Sequence, residues 1–138
     1  EYTRVFARLL ARSDAALIIA PETDGVLARL SAKAQDAGVM LLGSSPTAVA
    51  DAGDKWACYQ RFRQAGLPTP FTQRTSFAEA ARVAREVGYP LVAKPVDGVG
   101  SEGVCLITND HELAAALSIL RRATQRDDLL LQKFINGI

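Results

Sequence analysis

A lysine in an apolar run, followed by a glycine-rich loop, is the part of the sequence best suited to bind an anion. The stretch YPLVAKPVDGVGSEGV carries Lys94 in its first half and then Gly98, Gly100 and Gly103. An ammonium group in apolar surroundings needs an anionic partner. Glycines let the backbone approach closely and point its N–H groups at phosphate oxygens. The stretch therefore predicts phosphate binding, with a tight hairpin and a solvent-facing Lys94 as the alternative.

The spacing of the glycines matches G-x-G-x-x-G, which alone is a weak signal. In a dinucleotide-binding fold these glycines join a strand to a helix, but here they are followed by GVCLIT, which is short, apolar and typical of a strand. A Walker A loop is excluded because no glycine–lysine pair occurs. In protein kinases the phosphate lysine follows the flap, whereas Lys94 precedes it. Two acidic residues in the loop, Asp97 and Glu102, count against phosphate binding.

The elements around this loop alternate between strands and helices. FTQRTS, PLVAKPV, GVCLIT and DLLLQKFI have the composition of strands. FAEAARVAREVG and DHELAAALSILRRA are predicted to be helices, the second capped by Asn109 or Asp110. In the first of these helices the apolar residues share one face: Ala80, Val83, Ala84 and Val87.

The first third of the sequence predicts a βαβ unit. AALIIAP, residues 15–21, and VMLLG, residues 39–43, are continuous apolar runs typical of buried parallel strands. The segment between them has helical spacing and a stop at Gly38. A helix is also predicted at the start of the chain, with Val5, Leu9 and Leu10 inward.

Ser45 and Pro46 are expected to begin a helical segment that continues to Gly66, with a break at Gly53. The stiff LPTP linker follows it. We therefore divide the chain into a βαβ domain over 1–45, connecting helices and linker over 46–70, and a further domain over 71–138.

The composition is that of an ordinary globular protein. Of the 138 residues, 49% are hydrophobic and 22% charged, and the net charge of +1 gives no case for nucleic acid or an anionic membrane as partner. Two isolated cysteines and one histidine form no metal-ligand spacing. With neither a membrane-length apolar run nor a signal peptide, a cytoplasmic location is the default expectation. The chain starts without methionine and stops directly after an apolar run, so we expect it to be a piece of a longer protein.

Several of these motifs, in this order, resemble the ATP-grasp superfamily. They are DK at residues 54–55 before GLPTP, the lysine strand YPLVAKP, the loop DGVGSEGV and the last strand LLLQKFINGI. The region around IAPETDG resembles the small domain that precedes the grasp in this superfamily. The resemblance implies an α/β chain: a small Rossmann-like pre-ATP-grasp βαβ domain followed by the first α+β lobe of an ATP-grasp fold, truncated, with a small antiparallel sheet and two helices.

Roles for individual residues follow from the resemblance. Lys55 and Lys94 would contact the phosphates of ATP, under a flap that contains Ser101. The Gln132 carbonyl would accept from the adenine amine, a backbone N–H at Phe134 or Ile135 would donate to the ring, and Lys133 would help at the base or phosphate. The implied flap also includes three glycines: Gly98, Gly100 and Gly103.

The resemblance implies ATP and Mg²⁺ as cofactors and a carboxylate–amine ligase that forms an acylphosphate. The Mg²⁺ ligands and the catalytic residues would lie beyond Ile138, so the chain alone should be inactive. IAPETDG, LLGSSPTAVADAGDKW and KPVDGVGSEGV look most like the tyramine–glutamate ligase type of methanofuran-like cofactor biosynthesis. Small-molecule carboxylate and amine substrates follow, with a homodimer as a candidate assembly. The alternative function is a non-catalytic nucleotide-binding or regulatory module.

Overall fold

The computed structural model describes residues 2–21 and 23–137 and divides into two compact units, residues 1–53 and 54–138. The segment 46–70 is therefore shared between them. The first unit contains α1 Tyr2–Leu10, β1 Ala15–Ala16, a 3₁₀ turn Thr23–Gly25, α2 Val26–Asp36, β2 Met40–Leu41 and α3 Pro46–Gly53. The second contains α4 Lys55–Gln64, β3 Thr72–Ser76, α5 Ala80–Val87, β4 Leu91–Pro95, β5 Cys105–Ile107, α6 Asp110–Ala123 and β6 Asp128–Lys133.

The first unit has the predicted βαβ order. Strands β1 and β2 pair in parallel, with Ala15 opposite Met40, and α2 connects them. Helix α2 buries Leu30 and Ala34. It stops where predicted, since Gly38 follows it with φ of +73°, a conformation that glycine adopts without steric cost.

The predicted burial of this unit is only partly correct. Each strand has two residues, and the apolar runs are covered on one face, where Leu10, Ala34 and Val39 form a small core. Leu17 and Ile19 were predicted to be buried but are 65% and 90% exposed. Three residues of α1 were predicted to point inward. Leu10 is buried, but the prediction is wrong for Val5 and Leu9, which are at least half exposed. Because these runs are apolar on both faces, the sequence does not indicate which face of each strand the rest of the unit covers.

The predicted break at Gly53 separates two helices. Ser45 Oγ accepts a hydrogen bond from the Ala48 N–H at 3.2 Å, which caps α3. Helix α4 starts afresh because an Asp54 carboxylate oxygen accepts from two backbone N–H groups, of Trp56 at 2.8 Å and Ala57 at 2.9 Å.

The second unit is a four-stranded antiparallel sheet in the order β3-β6-β4-β5. Helices α5 and α6 cover one face, and the predicted apolar side of α5 is buried there. The longest strand, β6, lies between β3 and β4. Its three consecutive leucines are fully buried: Leu129, Leu130 and Leu131.

The glycine-rich loop, residues 96–104, joins β4 to its antiparallel neighbour β5. This confirms a strand–loop–strand arrangement and excludes the strand-to-helix turn of a dinucleotide-binding fold. The backbone has positive φ at Gly98, Gly100, Ser101 and Gly103.

Two arginines hold Asp128 at the start of β6, Arg74 on the neighbouring strand β3 and Arg126 just before β6. Its carboxylate accepts from Arg126 Nε at 2.7 Å and Arg74 Nε at 2.6 Å. These contacts, led by the Arg126 hydrogen bond, lower the pKa of Asp128. A lowered pKa means that the stabilisation is present above the unfolded value, about 3.9, and is lost as the pH falls through the folded value.

We therefore expect Asp128→Asn to lower the free energy of unfolding by about 1 kcal/mol at pH 7 and by progressively less below about pH 4. Urea unfolding at a series of pH values measures this. Asp127→Asn is the matched control, because Asp127 is 81% exposed and its 3.3 Å pair with Arg121 should contribute little. An Asp128→Asn effect that persists unchanged at low pH would contradict the electrostatic explanation.

Candidate functional site

Lys94 lies on the sheet face that α5 and α6 do not cover. Side chains alternate along β4, so the core residues Leu91 and Ala93 point to one face and Lys94 to the other. Its partner across the ladder is Leu130, which is fully buried. The ammonium is half-buried and donates to Gln132 Oε1 at 2.8 Å.

Burial lowers the pKa of Lys94, and the positive charge of Lys55 lowers it further, while Cys58 acts in the opposite direction. Lys55 and Lys94, the two cations predicted to contact phosphates, are thus close enough to repel each other. Because the acceptor at Lys94 is a neutral amide, its positive charge is not compensated there. A polyphosphate would relieve both the desolvation and the repulsion.

Lys55 attaches α4 to the base of the glycine-rich loop. Its Nζ donates to the carbonyls of Asp97 at 2.8 Å and Gly98 at 2.9 Å, and its backbone N–H donates to Val96 O at 2.8 Å. The predicted lysine and the predicted loop are therefore in direct contact, although 42 residues separate Lys55 from Asp97.

The three loop glycines have different surroundings. A Cβ at Gly98 or Gly100 would meet no atom within 4 Å, so the backbone there is open to a ligand. A Cβ at Gly103 would lie 2.6 Å from Ala123 Cβ and 3.1 Å from Pro95 Cγ. The first two glycines suit a phosphate-binding loop, whereas Gly103 lets the loop pack against β4 and α6.

Asp97, the acidic residue at the base of the loop, already interacts with other residues of the second unit. Asp97 Oδ1 accepts from Thr124 Oγ1 at 3.5 Å. The hydrogen bond to Asp128 is the main cause of the raised pKa of Arg126, and the charge of Asp97 adds to it. The predicted conflict between Asp97 and a phosphate is thereby reduced.

At the end of β6 the backbone groups alternate between the two neighbouring strands. Phe134 N–H donates to Pro90 O at 3.2 Å and so faces β4. Because backbone groups alternate along a strand, those of Gln132, two residues earlier, face β4 as well. Lys133 N–H donates to Phe71 O at 2.8 Å and faces the other side. Within residues 2–21 and 23–137, neither the Lys133 carbonyl nor the Ile135 N–H makes a backbone hydrogen bond. These two groups, two residues apart, form an acceptor and a donor directed to one side.

The side chain of Lys133 is not brought together with Lys55 and Lys94. It lies on the opposite sheet face, where Nζ donates to the carbonyls of Gly88 at 3.4 Å and Tyr89 at 3.2 Å. Sequence reasoning also missed Thr72, which accepts from Gln132 Nε2 at 2.7 Å. In the sequence Thr72 is only one threonine in an alternating strand. Its contact with Gln132 depends on the register between β3 and β6, which the sequence does not show.

The part of the chain that the structure describes contains no group of three or more His, Cys, Asp or Glu side chains arranged to hold a metal ion. None of its helices is both long enough and apolar enough to cross a membrane.

Comparison with known families divides the chain in two. Residues 1–49 match the pre ATP-grasp 3 domain, and residues 52–138 match the ATP-grasp domain. The carbamoyl phosphate synthase large chain of Streptomyces griseus subsp. griseus is 32% identical over 108 residues, which is 78% of this chain and 10% of that protein. The same protein of Rubrobacter xylanophilus is 32% identical over 110 residues, 79% of this chain and 10% of its own length. The chain thus spans about a tenth of these curated relatives.

Solved structures show the same fold. The biotin carboxylase domain of Hydrogenobacter thermophilus 2-oxoglutarate carboxylase, a dimer in complex with MgADP, ADP and bicarbonate, matches 96% of this chain and 31% of its own, with 26% identity and a TM-score of 0.79. D-alanine–D-alanine ligase from Helicobacter pylori matches 83% of this chain and 34% of its own, with 22% identity and a TM-score of 0.68, which bears on the fold alone.

Proposed function

Since the chain belongs to the ATP-grasp family, we propose that the protein containing it is an ATP-dependent carboxylate–amine ligase whose nucleotide phosphates lie between Lys55, Lys94 and the glycine-rich loop. The observation that carries this proposal is the arrangement of the two lysines. Both stand at the loop base, one half-buried with a lowered pKa, and the loop backbone is open at Gly98 and Gly100.

The chemistry of ATP fits this arrangement. Two fixed cations offset the charge of the triphosphate, and the loop N–H groups can donate to its oxygens. A loop with several positive-φ residues can close over the phosphates and exclude water, which protects an acylphosphate from hydrolysis. Mg²⁺, when bound with the nucleotide, would neutralise further phosphate charge, in line with the MgADP in the 2-oxoglutarate carboxylase structure.

For the adenine ring we propose the Lys133 carbonyl as acceptor of the exocyclic amine and the Ile135 N–H as donor to the ring. This shifts the acceptor by one residue from the Gln132 carbonyl. The shift is supported by the ladder, in which Gln132 faces β4 while Lys133 and Ile135 share the other side.

In the proposed reaction a substrate carboxylate attacks the γ-phosphorus of ATP, which gives an acylphosphate and ADP. The amine then attacks the acyl carbon, inorganic phosphate leaves, and the nitrogen loses a proton to give the amide. Glutamate and tyramine are the first pair to test, for a role in methanofuran-type cofactor biosynthesis, because of the sequence resemblance described above. We further propose that the protein is a homodimer, which the dimer of the 2-oxoglutarate carboxylase domain supports. We propose a cytoplasmic location, which the two free cysteines support.

The test is to incubate the full-length protein with Mg-ATP, hydroxylamine and a panel of carboxylates that includes glutamate. We expect hydroxamate and ADP with one acid, because hydroxylamine traps an acylphosphate. Repetition with an amine panel that includes tyramine then identifies the second substrate. Nucleotide binding without any hydroxamate would favour a non-catalytic nucleotide-binding module, and a lack of nucleotide binding would overturn the proposal.

A further inference from the structure

A chain of three side chains links the half-buried Lys94 to the backbone before β3. Lys94 Nζ donates to Gln132 Oε1 at 2.8 Å, Gln132 Nε2 donates to Thr72 Oγ1 at 2.7 Å, and Thr72 Oγ1 donates to Pro70 O at 2.9 Å. Thr72 is 3% exposed, and Gln132 is half-buried. The chain crosses three neighbouring strands on the face opposite the helices.

This chain has only one consistent direction. A lysine ammonium can only donate and a carbonyl can only accept, so the two ends are fixed. The single proton of the Thr72 hydroxyl goes to Pro70 O, so this hydroxyl must accept from Gln132. The amide of Gln132 then has to present its nitrogen to Thr72 and its oxygen to Lys94. Without the threonine hydroxyl, only the ammonium itself would hold the amide in this orientation, and the Gln132 side chain would be less firmly fixed.

The hydrogen bonds that link Lys94, residue 132 and Thr72 suit an amide at position 132 better than a carboxylate. A carboxylate there would need a proton from Thr72, which would take the donor away from Pro70 O. It would also neutralise the ammonium that it holds. The amide instead orients Lys94 and leaves its positive charge for another partner.

We propose that Thr72 is a positioning residue, which acts through the side-chain amide of Gln132 to hold Lys94 as an uncompensated cation directed at an anionic ligand. The proposal rests on the proposed function for the identity of that ligand, the phosphates of ATP. It assigns a role to Thr72 and to the Gln132 side chain that neither the sequence motifs nor the family match specifies.

The experiment compares Thr72→Val, which removes only the hydroxyl, with Thr72→Ser, which keeps it. Thr75→Val is the matched control: Thr75 is also buried in β3 but lies on the core face, with its hydroxyl on Ser76 O. Affinities of ATP and adenosine are measured by calorimetry on the full-length protein and on each of these variants. We expect Thr72→Val to weaken ATP binding about tenfold, with adenosine unchanged, because a hydrogen bond to a charged group is disturbed. Thr72→Ser and Thr75→Val should stay within about twofold of the unchanged protein.

A second readout needs no nucleotide. The pKa of Lys94 is followed by NMR of labelled lysine side chains in the ligand-free chain. The titratable groups that act on Lys94 are Lys55 and Cys58 on α4, while β3 and β6 contribute the neutral Thr72 and Gln132. We expect Thr72→Val to lower this pKa, because the amide oxygen that stabilises the ammonium is then held against it less firmly. Gln132→Glu should raise it, because a carboxylate favours the charged form.

The outcomes separate the two proposals. Shifts of the Lys94 pKa in these opposite directions, with no ATP binding by any variant, would support the positioning role and overturn the proposed function. If the Lys94 pKa stays unchanged in Thr72→Val, or if ATP and adenosine affinities fall equally, the positioning role is wrong whatever the protein binds. A loss of affinity in Thr72→Ser equal to that in Thr72→Val would likewise overturn it.

Discussion

Gly103→Ala is expected to lower the free energy of unfolding by about 3 kcal/mol. The added Cβ would lie 2.6 Å from Ala123 Cβ and 3.1 Å from Pro95 Cγ. Neither neighbour can rotate away, because one atom is itself a Cβ and the other belongs to a proline ring. The φ of +71° adds backbone strain for any L-residue.

Gly100→Ala separates strain from overlap, because Gly100 has φ of +67° but open space around its Cα. We expect this variant to lose only the strain contribution, about 1 kcal/mol. Urea unfolding of both variants, followed by Trp56 fluorescence, gives the difference directly. Equal losses would mean that the loop shifts to accommodate the Gly103 methyl group and that the packing contact with Ala123 is not a constraint.

Much of the second unit could be predicted because its signals are local. The apolar face of α5, the Asn109 cap of α6 and the strand that follows the glycine loop each depend on residues close in the sequence. The resemblance implied only that Lys55 and the loop meet at the same phosphates. The hydrogen bonds of Lys55 to the loop carbonyls were not predicted, since no local pattern connects residues so far apart.

The two faces of β6 could not be assigned from the sequence. A half-buried strand reveals its faces by alternation of apolar and polar residues, but Leu129, Leu130 and Leu131 are all fully buried. The apolar pattern therefore does not indicate on which face of the sheet the next two residues, Gln132 and Lys133, lie. The structure assigns them to opposite faces, and only Gln132 shares the face of Lys94.

Lys94→Met should weaken ATP binding at least about 30-fold, the equivalent of 2 kcal/mol, and leave adenosine binding unchanged. The substitution shortens the side chain by only one heavy atom and removes a half-buried ammonium whose pKa is lowered mainly by burial. Its folding stability should therefore be equal or higher, since an ammonium held by a neutral amide opposes folding in apolar surroundings. Thermal unfolding and calorimetry on one preparation measure both effects.

The sign of the pH dependence follows from the same group. ATP requires the charged form of Lys94, so the affinity should fall as the pH rises through the lowered pKa of Lys94, and this fall should be absent in Lys94→Met. Lys133→Met is the matched control, because it removes a cation of the same type from the opposite face of the sheet. It should leave the ratio of ATP to adenosine affinity, and the pH dependence of ATP binding, unchanged. A loss of ATP selectivity in Lys133→Met as large as in Lys94→Met would mean that the phosphates do not lie on the Lys94 face, and the proposed orientation of the nucleotide would have to be reversed.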